Sequence, residues 1–305
     1  MDFPLPIVPQ PVPTGATPPV NAMSVDVEDY FQVRAFASTI DSASWDRLPC
    51  RIPANIDRIL ALFDRFGVKA TFFTLGWVAE RMPEVVRRIV AGGHELASHG
   101  MRHVLVTEQT PDEFRADIVR AKQVLEDVAG VEVAGYRAAT FSINLKNLWA
   151  FDLLLGAGYR YSSSLNPIRH DLYGVPSAPR FAFRHRPDGL LEIPLTTLRA
   201  GNRNFPCAGG GFFRLLPYAA FRFAVRRVNR LDRQPAVFYF HPWEVDPAQP
   251  RVAGAPWRSR FRHYLNLEAM EPRLARLLSD FRWDRMDRVY GVRADAESAR
   301  IAPPV

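Results

Sequence analysis

The sequence predicts an α/β fold built on a largely parallel sheet. From Asn21 onward, short apolar runs alternate with segments in which apolar residues recur at helical spacing. Glycine or proline stands at the ends of many of these segments, where such residues start or stop helices. With 305 residues, 48% of them hydrophobic and 23% charged, the chain can bury a sizeable core. We therefore expect one elaborated α/β barrel rather than two independent folds.

The first half of the chain contains four predicted strands and four predicted helices. The clearest helix follows Thr110, because Thr110 and Glu113 form a capping box with Pro111 at the first helical position. Another helix ends before Gly67, and runs of β-branched and aromatic residues mark the strands. The predicted strands are 22–27, 68–75, 133–139 and 159–163, and the predicted helices are 56–66, 80–91, 111–125 and 145–155.

The second half is richer in loops. Prolines interrupt the pattern after Asn166, and strands return at 190–198 and 236–240. Seven prolines among residues 1–20 remove backbone donors and predict an extended tail or a strap over the surface. We therefore divide the chain into a proline-rich tail at 1–20, a main domain at 21–295 with a C-terminal elaboration at 165–295, and a short tail at 296–305.

The formal net charge of +7 raises the question of nucleic-acid binding. Such binding needs clustered cations, whereas the 36 arginines and 3 lysines are scattered along the chain. The one dense group, five arginines between Arg222 and Arg233, has the spacing of a solvated helix face. We expect no nucleic-acid partner, and the basic surface favours peripheral contact with an anionic membrane.

Cysteine usage and apolar runs bear on the compartment. Cys50 and Cys207 lie far apart, form no metal-ligand spacing and are too few for a disulfide framework. No stretch reaches the roughly 18 apolar residues of a membrane span, and the N-terminus lacks the pattern of an export signal. These features favour a protein of the cytoplasm that acts at the inner membrane face. They leave the oligomeric state open.

Polar side chains stand at the ends of the predicted strands 22–27, 133–139 and 236–240 and of a further strand that ends in the block 93–103. The carboxyl ends of parallel strands meet at one edge of a sheet. Two of the polar residues, His99 and His103, stand at i and i+4, which predicts that both imidazoles lie on one face of a helical turn. Two nitrogens and one carboxylate oxygen would hold a metal ion with positions left for water and substrate. In chain order the residues of this edge are Asp26, Glu28, Asp29, His99, His103, Arg137 and His241.

The order of these motifs resembles the polysaccharide deacetylases of the nodulation-factor deacetylase type, carbohydrate esterase family four. The motifs are Ser-Val-Asp-Val-Glu-Asp-Tyr-Phe at 24–31, the Gly-His-Glu block at 93–103, Tyr-Arg-Ala-Ala-Thr-Phe at 136–141 and Phe-His-Pro-Trp-Glu at 240–244. With Gly-Gly-Gly-Phe-Phe-Arg at 209–214, they resemble the branch found beside exosortase-linked exopolysaccharide genes. The resemblance covers roughly residues 22–290. It implies a distorted (β/α) barrel whose divalent metal, usually zinc, serves the hydrolysis of acetyl groups from N-acetylated amino sugars.

The resemblance also implies roles for individual residues. Asp26 would be the general base, and His241 would protonate the departing amine. Arg137 would pair with Asp26 and keep it ionised, because an adjacent cation favours the charged carboxylate. Trp243 would stack on a sugar ring, and Tyr30 and Phe141 would also contact substrate.

The sequence departs from the family pattern at two places. The usual adjacent Asp-Asp pair is replaced by Asp26-Val27-Glu28-Asp29, so we expect His99 and His103 to be joined by Asp29, with Glu28 as the alternative carboxylate. The aspartate that orients the catalytic histidine would fall near 161–164, where no carboxylate occurs. Glu244, Asp246 and Asp171 are unranked candidates for that task.

The expected substrate is an N-acetylated exopolysaccharide or its lipid-linked precursor. Two alternatives stay open: action on another C–N amide, in peptidoglycan or a cyclic amide, and a catalytically silent glycan-binding protein. The second alternative follows from the missing orienting aspartate. For the triple glycine at 209–211 we expect a flexible turn, which is typical of such a run.

Overall fold

A computed structural model describes residues 3–10 and 19–292. The predicted tail at 296–305 lies outside these residues, as does much of the tail at 1–20. In the described part of the N-terminal segment, Val8–Pro9 (β1) pairs antiparallel with Phe183–Arg184 (β7), and the ring of Phe3 packs 5.6 Å from that of Phe183. Val8 and Pro9 therefore form an edge strand, where the donor missing from proline leaves no gap in a central ladder.

The central sheet is mostly parallel. Its hydrogen-bonded order is β1-β7-β8-β6-β5-β4-β3-β2-β11, with β12 also paired to β2. Its antiparallel pairs are β1–β7 and β7–β8, and the other described pairs of this sheet are parallel. A separate hairpin joins β9 and β10. The remaining strands are β2 (Asn21–Val27), β3 (Thr71–Thr74), β4 (Glu95–Ser98), β5 (Gly135–Tyr136), β6 (Tyr161–Ser162), β8 (Leu191–Glu192), β9 (Thr197–Ala200), β10 (Arg203–Pro206), β11 (Val237–Phe240) and β12 (Trp283–Asp284).

The α/β class is confirmed, but the closed barrel is not observed. No ladder among the described residues joins β11 to the opposite end of the sheet. The sheet does curve back, because the segment after β8 contacts β11: Val237 N–H donates to Thr196 Oγ1 at 2.5 Å, and Tyr239 N–H donates to the Ala208 carbonyl at 3.0 Å. The segment after β8, which is partly irregular, therefore contacts β11 at the position where a closed barrel would have a strand pair.

Helices cover the sheet, and none in the described residues is both long enough and apolar enough to cross a bilayer. The predicted capping box at Thr110 is confirmed: Glu113 N–H donates to Thr110 Oγ1 at 3.3 Å, and Thr110 N–H donates to Glu113 Oε2 at 2.8 Å. The α-helices are α1 (Ile52–Arg65), α2 (Gly76–Arg81), α3 (Pro83–Ala91), α4 (Pro111–Ala129), α5 (Ala150–Gly156), α6 (Gly210–Leu215), α7 (Tyr218–Arg227), α8 (Trp257–Tyr264), α9 (Met270–Asp280) and α10 (Met286–Val289).

Two predicted elements are split by proline. The helix expected at 80–91 is divided into α2 and α3 because Pro83 has no N–H to continue the first helix. The strand expected at 190–198 is divided into β8 and β9, with Pro194 between them. The other predicted elements are found with different bounds: β3, β5, β6, β11 and α5 are shorter than predicted, whereas β2, α1 and α4 are longer.

Alternating side chains of the strands fill both faces of the curved sheet. Phe72 of β3 packs in a cluster with residues of α1 and α9, whereas its neighbour Phe73 packs on the other face with Tyr161, Leu191 and Val237. This packed interior positions the carboxyl ends of the strands rigidly at one edge.

Candidate active site

At the carboxyl end of strand β2, the side chains of Asp26 and Glu28 lie at the site edge of the sheet, and that of Asp29 points away from it. Glu28 N–H donates to the Asp26 carbonyl at 3.0 Å, so the chain turns as it leaves β2, and both side chains line one cavity. Asp29 points elsewhere and is hydrogen-bonded by the backbone at the start of α1. Its carboxylate accepts from the N–H groups of Tyr30 (2.8 Å), Arg51 (2.6 Å) and Ile52 (3.2 Å).

Glu28, His99 and His103 form a compact, largely buried group. One potential ligand atom from each lies within 4.8 Å of the others. The two imidazole centroids are 5.2 Å apart, and Glu28 Oε2 lies 2.8 Å from His103 Nε2. The placement of Asp29 as the carboxylate of this group is therefore wrong, and the alternative, Glu28, occupies the position.

The two histidines converge from an irregular loop rather than from the helical turn that their spacing predicted. After β4 the chain turns at Gly100, whose φ of 79° is accessible to glycine without strain. Asp117 of α4 holds this turn by accepting the Met101 N–H at 3.1 Å. His103 then adopts a left-handed φ of 56°. The reversal of the loop, and not the i, i+4 spacing, brings the imidazoles together.

The donor set fits a divalent cation. Glu28 Oε2 is buried and accepts no hydrogen bond of normal geometry, despite its closeness to His103. His99 Nδ1 lies 2.8 Å from the Arg137 carbonyl; when Nδ1–H donates to it, Nε2 keeps its lone pair, as is usual for histidine ligands. Burial lowers the pKa of His99 to about 4. Burial raises the pKa of Glu28, but the three neighbouring histidines, His103 above all, outweigh it and lower that pKa to about 2. Neutral imidazole and ionised carboxylate are the forms that bind metal.

Asp26 is paired with Arg137 beneath the cavity. Arg137 Nη1 donates to Asp26 Oδ1 at 2.6 Å and to Ser24 Oγ at 2.9 Å. The rest of the guanidinium is held by Ser163, whose carbonyl accepts from Nε at 3.1 Å and whose Oγ accepts from Nη2 at 2.9 Å. The predicted contact of Asp26 with Arg137 is present, and the serine segment that lacks the family aspartate supports Arg137 instead.

His241, at the end of β11, is held by Glu244. The distance from His241 Nδ1 to Glu244 Oε1 is 2.8 Å, and His241 Nε2 lies 3.4 Å from Glu28 Oε1. Arg214 Nε donates to the other oxygen of Glu244 at 2.8 Å, and this ion pair is buried. Burial opposes protonation of His241, but the hydrogen bond to Glu244 and the charges of Glu28 and Glu244 raise its pKa to about 9.

The other two candidates for this orienting contact lie elsewhere. Asp246 pairs with Arg51 at 2.7 Å, and Asp171 pairs with Arg262 at 3.0 Å. A sequence signal did point to Glu244: His-Pro-x-Glu has the spacing of a capping box, and the His241 N–H does donate to Glu244 Oε1 at 3.1 Å.

The triple glycine permits close packing against these residues. A Cβ on Gly209 would lie 2.8 Å from the Tyr239 ring, and one on Gly210 would overlap the Glu244 carboxylate, whereas Gly211 faces open space. Arg214 follows in the same motif as the partner of Glu244. The flexible turn predicted from these glycines is instead the start of α6. Arg214 is the functional residue that the sequence analysis missed.

The three predicted substrate residues differ in placement. Phe141 lines a cavity of about 200 Å³ together with Asp26, Glu28 and His241. Trp243 also borders it, but its indole is 6% exposed and stacks with His241 and with His263, at centroid distances of 5.1 and 3.9 Å, which leaves little face for a sugar. Tyr30 is buried against Phe31 and does not line the cavity, so its assignment to substrate is wrong.

Residues 33–156 match the family model described as polysaccharide deacetylase. This part of the chain is therefore similar in sequence to polysaccharide deacetylases. Residues 163–291 match a second family, described as a domain of unknown function, DUF3473. That second region supplies Arg214, His241 and Glu244, so the site described above draws on both matched regions.

Relatives of known name align with part of the chain. A chitooligosaccharide deacetylase of Sinorhizobium fredii is 34% identical over 154 residues, which are 49% of this chain and 64% of the relative. A peptidoglycan deacetylase of Helicobacter pylori is 31% identical over 112 residues, which are 36% of this chain and 37% of the relative. The chain spans less than half the length of the first curated relatives that it matches.

A solved structure extends the fold similarity to almost the whole chain. It is a Mycobacterium smegmatis protein, provisionally described as a polysaccharide deacetylase, with a TM-score of 0.61 and 22% identity over 98% of both chains. The fold of that protein therefore extends over both halves of this chain.

Proposed function

We propose that this protein is a metal-dependent hydrolase that removes N-acetyl groups from amino sugars of a polysaccharide. The observation that carries the proposal is the convergence, in one cavity, of Asp26, His241 and the Glu28-His99-His103 group. The deacetylase names of the relatives support the reaction class.

The metal group supplies the electrophilic part of the chemistry. A divalent ion held by Glu28, His99 and His103, for which we propose zinc, would polarise an acetamide carbonyl and acidify a bound water. The protein contributes a buried, preorganised donor set, with His99 held in one orientation by the Arg137 carbonyl.

Asp26 and His241 divide the proton transfers. Asp26 takes the proton of the attacking water, and Arg137 Nη1 fixes the position of its carboxylate by a hydrogen bond of 2.6 Å. The hydrogen bond between the His241 ring and Glu244 favours protonated His241, which donates its proton to the departing amine. Glu244 fixes the His241 ring and balances its charge.

For the substrate we propose an N-acetylated exopolysaccharide, or its lipid-linked precursor, of the type made by exosortase-associated systems. The motifs at 24–31, 136–141, 209–214 and 240–244 support this choice. We also propose that the enzyme works in the cytoplasm at the inner membrane face, where such precursors are assembled; fractionation of cells that produce the tagged protein tests the location. The silent glycan-binding alternative loses its motive, because Glu244 makes the contact that the missing aspartate was expected to make.

Acetate release tests the function. Purified protein is expected to release acetate from N-acetylglucosamine oligomers or a related glycan, and a chelator should abolish the release. Asp26→Asn should keep bound metal but lose turnover by roughly 10²-fold or more. Asp112→Asn, at a carboxylate that is 92% exposed on α4, is the matched control. Metal binding without hydrolysis across a broad panel of acetylated glycans would contradict the proposal.

A further inference from the structure

Helix α8 presents two aromatic side chains to solvent beside the cavity. Trp257 is 71% exposed and Phe261 is 55% exposed. They stand at i and i+4, so they lie on one face of the helix. Together with Arg258 and Arg260 they form what we call the α8 surface.

The helix is anchored by its opposite face. His263 is the residue of α8 that is buried, and it stacks on Trp243 at 3.9 Å and contacts Phe36 at 4.7 Å. With about 100° between successive residues, Phe261 and Trp257 point away from His263. Arg258 and Arg260 flank the aromatic pair on its two sides. The α8 surface is therefore an apolar ridge with a cation on each side.

The charge of this region has one sign. Residues 247–267 contain four arginines and no aspartate or glutamate. Arg262 pairs with Asp171, whereas Arg258 and Arg260 make no ion pair among the described residues. Exposed aromatic side chains flanked by arginines that form no ion pair are typical of helices that lie in the interface of an anionic bilayer.

We propose that the α8 surface docks the protein on a bilayer that contains anionic phospholipid. Trp257 and Phe261 enter the boundary between headgroups and acyl chains, and Arg258 and Arg260 bind lipid phosphates. Arg262 and His263 of the same helix line the catalytic cavity, as does Leu172, which is 54% exposed. Docking thus brings the cavity mouth to the membrane surface. Delivery of a lipid-linked glycan to that mouth rests on the proposed function, but the docking itself does not.

A second apolar and basic surface provides a matched control. Phe223 and Leu231 are 60% and 64% exposed, near Arg227 and Arg230. This segment lies at the other end of the sheet, because Asn229 within it bonds to Asn21 at the start of β2, whereas the site follows the end of β2. Docking through it would turn the cavity away from the membrane.

Vesicle binding of the full chain tests the proposal. The protein is expected to co-sediment with phosphatidylcholine vesicles that contain phosphatidylglycerol, and weakly with phosphatidylcholine alone. Trp257→Ala/Phe261→Ala should weaken binding to the anionic vesicles by roughly tenfold or more, and Arg258→Gln/Arg260→Gln should also weaken it. Phe223→Ala/Leu231→Ala should bind as the wild type does. Vesicles should shift the tryptophan emission of the wild type to shorter wavelength, and Trp257→Phe should remove most of that shift.

Three outcomes would overturn the proposal: no binding to anionic vesicles, binding that the α8 variants leave intact, and lipid-free self-association that the Trp257→Ala/Phe261→Ala variant removes. Circular dichroism confirms that each variant is folded. Hydrolysis of a soluble oligosaccharide without lipid should be unchanged by Trp257→Ala/Phe261→Ala. Failure of docking and failure of the deacetylase activity are therefore distinguishable.

Discussion

Glu244 lies 2.8 Å from His241 Nδ1 and, through its other oxygen, 2.8 Å from Arg214 Nε. A carboxylate three residues after the histidine thus makes the contact for which the sequence offered no family aspartate. Its charge is balanced inside the protein by a buried arginine, and burial notwithstanding, Arg214 and His241 lower its pKa to about 2.

Replacement of Glu244 is expected to impair the acid step. Glu244→Gln keeps the shape but removes the charge that favours protonated His241, so kcat should fall by roughly 10²-fold with little change in bound metal. Steady-state acetate release and metal analysis measure the two quantities. Asp171→Asn, at the exposed candidate paired with Arg262, is the control and should keep near wild-type kcat. A Glu244→Gln enzyme within about twofold of wild type would refute the orienting role.

Two adjacent glycines should respond differently to a methyl group. Gly210→Ala forces its Cβ into the Glu244 carboxylate, so it should destabilise the protein by about 1–3 kcal/mol and lower kcat. Gly211→Ala meets no heavy atom within 4 Å and lies in helix α6, so its stability should be unchanged or raised by up to about 1 kcal/mol. Urea unfolding measures both values. Equal destabilisation by the two substitutions would show that close approach to Glu244 is not the cause.

The neighbours Glu28 and Asp29 should separate metal binding from folding. Glu28→Gln should lose bound metal, because a neutral amide replaces the ionised ligand. After chelator treatment, the Glu28→Gln protein should melt near the temperature of the wild type. Asp29→Asn should keep metal stoichiometry but lose about 1–3 kcal/mol of stability, since one amide oxygen replaces an acceptor of three backbone N–H groups. Elemental analysis and thermal melts decide the matter. Metal loss in Asp29→Asn at unchanged stability would reverse the assignment.

Asp117, which holds the histidine loop, should make stability depend on pH. Burial raises its pKa from 3.8 to about 6 despite the hydrogen bond from Met101. A pKa raised in the folded state means that the stability contribution is full below pH 4 and is lost as pH rises through 6. About two pKa units at ~1.4 kcal/mol each give about 3 kcal/mol. The variant Asp117→Asn cannot ionise at this position. Its free energy of unfolding, relative to that of the wild type, should therefore rise by about that amount between pH 4 and pH 7.5.

Urea unfolding of both proteins at the two pH values measures this difference. Other buried carboxylates, such as Glu192, titrate in both proteins and cancel in the comparison. A stability difference that is the same at pH 4 and pH 7.5 would show that Asp117 has an ordinary pKa.

Local sequence patterns determined much of the fold and the membership of the site edge. The Thr110 capping box acts within four residues, and alternating apolar runs mark strands whose carboxyl ends must meet. Asp26, His99, His103, Arg137 and His241 were found on this basis, because each stands in or shortly after the carboxyl end of a strand. These signals depend on neighbours in the chain, and so they are visible without a structure.

Tertiary structure alone decided which side chains meet. Glu28 and Asp29 are adjacent carboxylates, and Asp29 is withdrawn from the site because the start of α1, 22 residues later, offers it backbone donors. Likewise, Glu244 contacts His241, whereas Asp246 and Asp171 lie elsewhere against Arg51 and Arg262. Side-chain direction beyond the end of a strand is set by turns and long-range hydrogen bonds, which a local pattern does not encode.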